Sequence, residues 1–389
     1  MHRVNDEPAR TDGEVAPTSR KVLAYFFRLG FVNIGGPVAQ LTMMYDQFVD
    51  RAHWLSRERF VRIMGVCHLL PGPEALQLAI YVGYLTRGIA GGLFAGVMFI
   101  LPGAALITGL AALYAAYGSV PLVTDALYVL KPAVLGIIAA GLLRISRAAV
   151  TSPLLAGIVV AAAVAMRFAS VDVIIAMLAA GAASALARRP WSSRFALGLV
   201  ALPLVPLTLS LSGWLDFAWV FLRTGLFSFG GAYGSIALLT RGAVVEHGWL
   251  TSGQLLDGVA VSIATPGPFM LFATWAGYLI AGLPGAMAAT VLVFLPSFLF
   301  ILVGARQLEA ARDRPLVRHF LAGVSAAVVA VILLVTVDLT PAALPDALAV
   351  VIALLSFAAI VVARRDVALV SLGAMIGGVA YALVRVAAG

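Results

Sequence analysis

Charged side chains inside apolar segments of this sequence could do chemistry, and four of them stand out. Arg28, Glu74, Lys131 and Arg223 each interrupt a run long enough to cross a bilayer. An ionised side chain at the bilayer centre costs at least about 2.5–3.5 kcal/mol, so such residues pair, bind a ligand or move charge. Arginine presents a fork of donors that matches an oxyanion, and an intramembrane carboxyl can couple protons to transport. The residue types therefore predict an anion site with a proton involved.

Backbone breaks accompany these charges. Proline removes a backbone donor and glycine tolerates unusual φ, so both interrupt helices. In hydrocarbon such breaks persist only where protein or a water-filled cavity surrounds them, and each creates a helix start with about +0.5 charge that suits an anion. The alternative is a packing kink, since both residues are common in membrane helices. The breaks form two pairs, Gly35-Gly36-Pro37 with Gly230-Gly231, and Pro71-Gly72-Pro73 with Pro266-Gly267-Pro268.

We expect the anion to be bound by the two arginines, the broken segments and nearby polar groups. Arg28 and Arg223 occupy equivalent positions before the glycine pairs; the alternative is that both reach out to lipid headgroups. Glu74 is the predicted proton-coupling residue, with Lys131 as a charge partner; the alternative is that Glu74 only complements its helix dipole. No cluster of His, Cys and acid has metal-ligand spacing, so neither a metal nor a cofactor is expected. The further substrate-binding candidates are Asn33, Gln77 and Ser228.

These residues must be positioned by a membrane-spanning scaffold. The chain is 62% hydrophobic and 11% charged, whereas an ordinary globular domain is about 45–50% apolar and about 25% charged. A soluble fold of this length lacks the interior to hide that much apolar surface. The basic residues stand singly or in small groups between apolar runs, which indicates orientation signals rather than a nucleic-acid surface. The sequence predicts an all-α, polytopic membrane protein.

The chain consists of two similar halves. FFRLGFVNIGGP (26–37) aligns with FLRTGLFSFGGA (221–232) at an offset of 195, and the same shift superposes the two Pro-Gly-Pro triplets. Six spans in each half and one linking span give the halves opposite orientations, which is typical of secondary transporters. Apolar runs of about 20 residues predict thirteen spans near 22–45, 63–86, 89–117, 121–143, 148–166, 170–187, 195–212, 214–240, 255–281, 284–304, 319–338, 345–363 and 367–386.

The predicted organisation has four parts, with the N-terminus in the cytoplasm. Outside the spans, 17 of 23 basic residues fall on the side of the N-terminus, as the positive-inside rule requires. Four of the other six lie in one loop, 51–62; if the first segment re-enters the membrane instead of crossing it, that loop becomes cytoplasmic. The parts are a disordered tail (1–20), a first repeat (21–190), a linking segment (191–213) and an inverted second repeat (214–389).

The motifs resemble those of the chromate ion transporter family. The resemblance rests on GGP, LLPGPEALQLAIYVGYLTRG and FILPG in the first half, and on FSFGGAYGS, IATPGPF, AGYL and FLPS in the second. A Trp-Leu pair follows the first break in each half, and PGPEALQ is the most specific part. The resemblance implies a two-repeat carrier of the bacterial inner membrane that exports chromate, with sulfate as the structural analogue, uses the proton gradient and confers chromate resistance. By position it assigns the Gly-Gly and Pro-Gly-Pro residues, Glu74 and Gln77 to the substrate path.

Two other classes of function compete with a carrier. The same electropositive breaks would serve an anion channel, whose flux only follows the electrochemical gradient, whereas a carrier concentrates its substrate. An intramembrane enzyme is disfavoured because the sequence lacks HExxH and GxSxG, and it lacks a GxxxxGK[ST] loop for ATP hydrolysis. A homodimer is compatible with this architecture, but no residue pattern requires one.

Overall fold

The computed structural model describes residues 17–33, 36–68, 70–118, 120–187, 213–312 and 314–388. This part of the chain contains fourteen α-helices and no strand, which confirms the all-α prediction; the predicted span at 195–212 and residues 1–16 of the tail lie outside it. The helices are α1 (Ser19–Val32), α2 (Gly36–Tyr45), α3 (Arg57–Cys67), α4 (Glu74–Tyr117), α5 (Pro121–Ala149), α6 (Pro153–Phe168), α7 (Val173–Ala187), α8 (Trp214–Leu226), α9 (Ala232–Leu239), α10 (Ser252–Ala264), α11 (Phe272–Arg312), α12 (Pro315–Ala343), α13 (Ala347–Val361) and α14 (Val367–Ala388). π-helical turns extend α2 (Asp46–Arg51) and α9 (Thr240–Glu246), and a 3₁₀ turn (Phe269–Leu271) precedes α11.

The helix lengths and the outer surface are those of a multi-pass membrane protein. Among the described residues, α4, α5, α11, α12 and α14 are long and apolar enough to cross a bilayer, and α6, α7 and α13 are shorter apolar helices. Large apolar side chains are exposed on the outside, with Phe168 82%, Val303 70% and Val362 76% accessible. Such a surface suits lipid and would be a liability in water.

The first predicted span, 22–45, is two short helices that fold back on each other. The Tyr25 hydroxyl of α1 donates to the Met43 carbonyl of α2 at 3.1 Å, and the Phe26 ring contacts Phe48 with centroids 5.8 Å apart. The 14 residues of α1 rise about 21 Å, which is less than the ~30 Å of a hydrocarbon core. We call α1 and α2 hairpin A. Hairpin A begins and ends on the same side of the membrane. The first segment therefore re-enters the membrane instead of crossing it.

The second repeat contains the equivalent hairpin and a further one. In hairpin C (α8 and α9), the Phe217 ring packs on Trp249 at 6.2 Å. In hairpin D (α10 and the start of α11), the Trp275 indole donates to the Gln254 carbonyl at 3.1 Å. Hairpin D turns at 266–268, so the predicted crossing at 255–281 is also a reversal. Hairpin B (α3 and the start of α4), which turns at 71–73, takes the equivalent place in the first repeat.

Each repeat then continues into a long helix beyond a kink. The kinks lie at Arg87-Gly88 in α4 and Ala281-Gly282 in α11. After each kink the chain folds against the preceding segment at a pair of glycines. A β-carbon on the first glycine of each pair would overlap the carbonyl oxygen of the second, so side chains larger than hydrogen are excluded there. The pairs are Gly83 with Gly91 and Gly277 with Gly285, which are repeat equivalents.

The hairpins of the two repeats point in opposite directions. We call the side at which α1 begins the N-terminal side, and the other the far side. Phe99 of α4 packs on Phe26 of hairpin A, and Gly103 contacts the turn of hairpin D, so α4 runs from the N-terminal side after its kink. Near its far end, Tyr114 donates to Asp257 of α10. Hairpin A therefore opens toward the N-terminal side, and hairpin D opens toward the far side.

Candidate functional site

The turns of the four hairpins, which we call the tips, meet near the middle of the two long helices. The tip of hairpin A holds the tip of hairpin D. The Asn33 side-chain oxygen accepts a hydrogen bond from the Gly267 amide at 2.6 Å, and the Gln40 side chain donates to the Gly267 carbonyl at 2.9 Å. Each of these contacts joins one repeat to the other, so the meeting point is an interface between the halves.

The tips of hairpins B and C form the matching contact. The Gly72 amide donates to the Ser228 carbonyl at 3.1 Å, and the Ser228 hydroxyl donates to the Gly231 carbonyl at 3.1 Å. The repeat offset of 195 relates Ser228 to Asn33 and Gly72 to Gly267. The tip of the Gly-Gly hairpin of each half therefore holds the Pro-Gly-Pro tip of the other half.

Glycine is required at the centre of both Pro-Gly-Pro tips. Gly72 has φ +117° and Gly267 has φ +123°, in the region that other residues rarely adopt. A β-carbon on Gly72 would lie 2.5 Å from the Ser297 hydroxyl and 2.9 Å from the Gln77 amide nitrogen. A β-carbon on Gly267 would lie 3.1 Å from the α-carbon of Gly103, the repeat equivalent of Ser297. Each tip is therefore closely packed against the long helix of the other repeat.

Several buried polar atoms at the tips have no partner among the described residues. They are the Asn33 side-chain nitrogen, the Gln77 side-chain oxygen and the Ser297 hydroxyl. A buried donor without a partner costs about 1–3 kcal/mol, which a bound ligand or water would recover. The Asn33 amide and the Ser297 hydroxyl are donors suited to an oxyanion. The amides of Gly72 and Gly267, in contrast, already donate to the opposite tips.

The remaining residues of the predicted site are distributed around these tips. Gln77 is fully buried and donates to the Pro71 carbonyl at 2.7 Å. Gly36 and Pro37 lie in the first turn of α2, and Gly35 lies outside the described residues. Gly230 and Gly231 both have positive φ in the tip of hairpin C. The prolines that flank the central glycines are Pro71, Pro73, Pro266 and Pro268.

Glu74 and Lys131 do not pair with each other. Glu74 is the first residue of α4, next to the tip of hairpin B, and the charges that act on it most strongly are those of His68 and Arg144. Lys131 of α5 instead lies 3.4 Å from Asp257 of α10, on the far side of the tips. The prediction that Lys131 is the partner of Glu74 is therefore wrong, because a closer buried carboxylate on the other repeat takes the ammonium.

Arg28 and Arg223, although equivalent in sequence, have different surroundings. Arg28 is exposed and lines a cavity of about 260 Å³ between α1 and the return of hairpin A. Its guanidinium has no ion-pair partner among the described residues. Arg223 is buried, forms a short ion pair with Glu246 and lies 4.0 Å from Asp172. The cavity around Arg28 is lined by Tyr25, Leu29, Val32, Met43, Asp46, Gln47 and Arg51.

The difference follows from an exchange of charge between the repeats. The offset of 195 relates Asp46 to Arg241 and Arg51 to Glu246. Glu246 faces Arg223, and the equivalent position in the first repeat is occupied by Arg51. Arg51 repels Arg28 instead of binding it. Arg241 also contacts Glu246 at 3.4 Å. The N-terminal side consequently has an open, positively charged cavity, and the corresponding place on the far side is closed by ion pairs.

The sequence did not identify three residues of this arrangement. Asp257, like Glu74, is an acid inside a predicted span, and the rarity of intramembrane charges is the signal that marks it as a candidate. Glu246 lies in a predicted loop, and only the hairpin brings it to Arg223. Ser297 stands in the FLPS motif opposite Gly103, and nothing in the pattern distinguishes it from a serine that bonds within its helix.

The comparisons with known proteins agree with this architecture. The family model described as chromate transporter matches residues 20–185 and 215–379, one match for each repeat. A chromate transport protein of Cupriavidus metallidurans is 31% identical over 393 residues, which cover 98% of this chain and 98% of that protein. A chromate transport protein of Pseudomonas aeruginosa is 35% identical over 352 residues, or 85% of this chain and 83% of that protein. No solved structure matches this chain.

Proposed function

Because the chain belongs to the chromate transporter family, we propose that it is a secondary active transporter of a divalent oxyanion, chromate above all, that exports the ion and so gives chromate resistance. The single observation that carries the proposal is the meeting of four hairpin tips between two inverted repeats, with an open basic cavity on one side and closed ion pairs on the other. Inverted repeats with broken helices at the substrate site are the architecture of secondary transporters. The names of the relatives point to chromate, and sulfate has the same charge and tetrahedral shape.

The substrate path starts at the cavity of hairpin A. The guanidinium of Arg28 attracts and orients the oxyanion there, because its fork of donors matches two oxygens of a tetrahedral anion. The path continues to the tips, where the Asn33 amide and the Ser297 hydroxyl are free to donate. Gln77 and Ser228 hold the backbone of the tips in place. The partial positive charge of the helix starts behind the Gly-Gly and Pro-Gly-Pro breaks adds to the attraction.

Release on the far side requires the ion pairs of Arg223 to open. In that state Arg223 takes the role that Arg28 has here, since the two residues are repeat equivalents at the same distance from their tips. When the ion pairs of Arg223 open, hairpin A closes around Arg28, and Asp46 is the acid that can pair with Arg28 there. One state is open at Arg28 and the other at Arg223. Exchange between these two states gives alternating access without any change in the fold of either repeat.

Glu74 supplies the coupling to protons. It stands at the start of α4 beside the tip of hairpin B, where an ionised carboxylate opposes a bound anion. Protonation of Glu74 therefore favours occupancy by the oxyanion, and loss of the proton favours its release. Glu74→Gln keeps the shape and removes the charge, so transport by this variant should no longer respond to pH. A pH profile like that of the wild-type protein would exclude Glu74 as the coupling group.

The orientation of the protein follows from its basic residues. With hairpins A and C re-entering, the loop 51–62 returns to the N-terminal side and Arg241 moves to the far side. Twenty of the 23 basic residues outside the spans then lie on the N-terminal side, which supports a cytoplasmic N-terminus in a bacterial inner membrane. The cavity at Arg28 accordingly opens to the cytoplasm, as an exporter needs for loading. A homodimer stays a prediction of the sequence.

The proposal is tested by flux of radiolabelled chromate and sulfate in proteoliposomes with an imposed pH gradient. We expect chromate to accumulate against its gradient and an uncoupler to abolish the accumulation. Flux that only follows the electrochemical gradient would identify an anion channel instead. Faster transport of sulfate than of chromate at equal concentration would make sulfate the substrate, and absence of flux for both ions would end the proposal.

A further inference from the structure

A buried acid–base cluster lies where the two repeats meet, on the far side of the tips from Glu74. Asp257 is 1% exposed. Its Oδ2 accepts a hydrogen bond from the Tyr114 hydroxyl at 2.9 Å and lies 3.4 Å from the Lys131 ammonium. Asp257 belongs to hairpin D of the second repeat, whereas Tyr114 and Lys131 belong to α4 and α5 of the first. The cluster therefore attaches hairpin D to the helices of the other repeat.

The carboxylate of Asp257 is only half satisfied. Its other oxygen, Oδ1, is buried and has no hydrogen-bond partner among the described residues. Burying an ionised carboxylate costs several kcal/mol unless its lone pairs are bonded and its charge is paired. The side chain of Lys131 is 29% exposed, so the ion pair reaches the surface at one end. A carboxylate with an unpartnered oxygen, paired with a lysine that reaches the surface, is equipped to take up a proton.

We infer that Asp257 is a second proton-binding group, reached from the far side, whose protonation releases hairpin D from Lys131. The inference rests on the proposed function, because it assigns a second proton site to the same transporter. A proton from water on the far side binds Oδ1 and neutralises the carboxylate. The attraction between Asp257 and Lys131 is then lost, while the Tyr114 hydroxyl still donates to Oδ2. Since Asp257 and Gly267 lie on one hairpin, the proton changes how firmly the tip bonded to Asn33 is held.

Other charges around α10 are engaged elsewhere and do not compete for this role. Helices α12 and α14 and the π-helical turn 240–246 also pack on α10, but their charged side chains at this end contact other residues. The repeat equivalent of Asp257 is Arg62, which is exposed, so the first repeat has no acid at the corresponding position. The engaged pairs are Arg167 with Asp338, Arg385 with Asp125, and Glu246 with Arg223 and Arg241.

The competing role for the cluster is a purely structural ion pair, and a neutral pair separates the two. Asp257→Asn alone leaves Lys131 without its partner, so loss of folded protein would be expected for either role. Asp257→Asn combined with Lys131→Gln removes both charges and keeps the shapes. Asp346→Asn is the matched control, because Asp346 also accepts from a tyrosine, Tyr128 at 2.6 Å, but is exposed. Asparagine preserves its cap on α13.

The experiment varies pH on one face at a time in oriented proteoliposomes and measures chromate transport. The double variant at Asp257 and Lys131 should keep chromate exchange at equal pH and lose the response to pH on the far side. Asp346→Asn should behave as the wild-type protein. A double variant that is folded and responds to far-side pH like the wild type would overturn the inference and leave a structural ion pair.

A second readout does not depend on transport. Infrared difference spectra of the purified protein between alkaline and acidic buffer report the carbonyl stretch of protonated carboxyl groups. The wild-type spectrum should contain a band that is missing from the double variant and present in Asp346→Asn. If the wild-type protein moves neither chromate nor sulfate, the proposed function fails, and the infrared band still decides whether Asp257 takes up a proton. Identical spectra for the wild type and the double variant would overturn the inference.

Discussion

Removing the side chain of either equivalent arginine should have different consequences, because only one of them holds the fold together. Arg223→Ala leaves Glu246 and Asp172 without their cation in a buried region. Breaking a buried pair costs about 3–5 kcal/mol. We expect the lower end, about 3 kcal/mol, because the two acids are 28% and 32% exposed. Against a total stability of about 5–15 kcal/mol, this is a large fraction.

Arg28→Ala should leave the stability nearly unchanged and weaken transport. Arg28 has no ion-pair partner among the described residues, so only its contact with the substrate is lost. A hydrogen bond to a charged group is worth about 1.5–3 kcal/mol, which corresponds to a rise of about 10- to 150-fold in KM. Arg28→Lys keeps the charge and loses the fork of donors, so its KM should lie between those of the wild type and Arg28→Ala.

The assay combines thermal unfolding of the purified variants with transport at equal amounts of folded protein. Arg223→Met together with Glu246→Gln removes both partners of the short ion pair and should recover most of the stability lost in Arg223→Ala. The reasoning is refuted if Arg223→Ala unfolds at the temperature of the wild type while Arg28→Ala does not. It is also refuted if Arg28→Ala transports chromate with an unchanged KM, since the cavity would then bind no anion.

Two further predictions concern the tips and a turn on the far side. Gly72→Ala should lower the unfolding temperature and abolish transport, since the strained φ alone costs about 1–3 kcal/mol; Gly109→Ala, in open space within α4, should be neutral or slightly stabilising. The pKa of Asp346 lies below the ordinary aspartate value because the Tyr128 hydroxyl and the Ala349 amide donate to its carboxylate. Its contribution to stability is therefore present above the ordinary pKa and is lost as pH falls through the lowered one; thermal unfolding of Asp346→Asn should lack that acid-side loss.

The repeat and the breaks could be predicted because both can be recognised from short stretches of sequence. Proline, glycine and the offset of 195 are visible without coordinates, and most helices beyond the kinks lie close to their predicted spans. Whether a broken helix continues or turns back is not local. Hydropathy is the same in both cases, because either course keeps the segment in the membrane. The four arginines of the loop 51–62 were the one signal for reversal, since only re-entry places them with the other basic residues.

The ion-pair partners of the charged residues could not be predicted, because they also depend on contacts between distant parts of the chain. Lys131 and Asp257 are far apart along the chain and belong to different repeats, so their ion pair depends on how the repeats interlock. The same holds for the Asn33–Gly267 contact. The sequence predicted Asn33, Gly267 and Lys131 as site residues, but it does not determine which of them are in contact. A pairing within one repeat, such as Lys131 with Glu74, looked simpler and was wrong.

The open cavity and the closed ion pairs have one cause, and that cause makes a last prediction. The backbone hydrogen bond from Gly72 to Ser228 has its repeat equivalent in the one from Gly267 to Asn33, so these backbone bonds favour neither side. The charges at positions related by the offset of 195 differ, since Asp46 and Arg51 stand where the second repeat has Arg241 and Glu246. Asp46→Arg together with Arg51→Glu gives the first repeat the charges of the second.

This double variant should draw hairpin A closed around Arg28 and reduce access to its cavity. Cys67, the single cysteine, is fully buried, so a cysteine introduced at Val32 on the cavity wall reports access through its rate of thiol labelling. We expect slower labelling of Val32→Cys in the exchanged background than in the wild-type background. Because a ligand shifts an equilibrium only by its differential affinity for the two states, chromate should restore part of the labelling if it binds the open state. Equal labelling rates in the two backgrounds would mean that the charges do not choose which side is open.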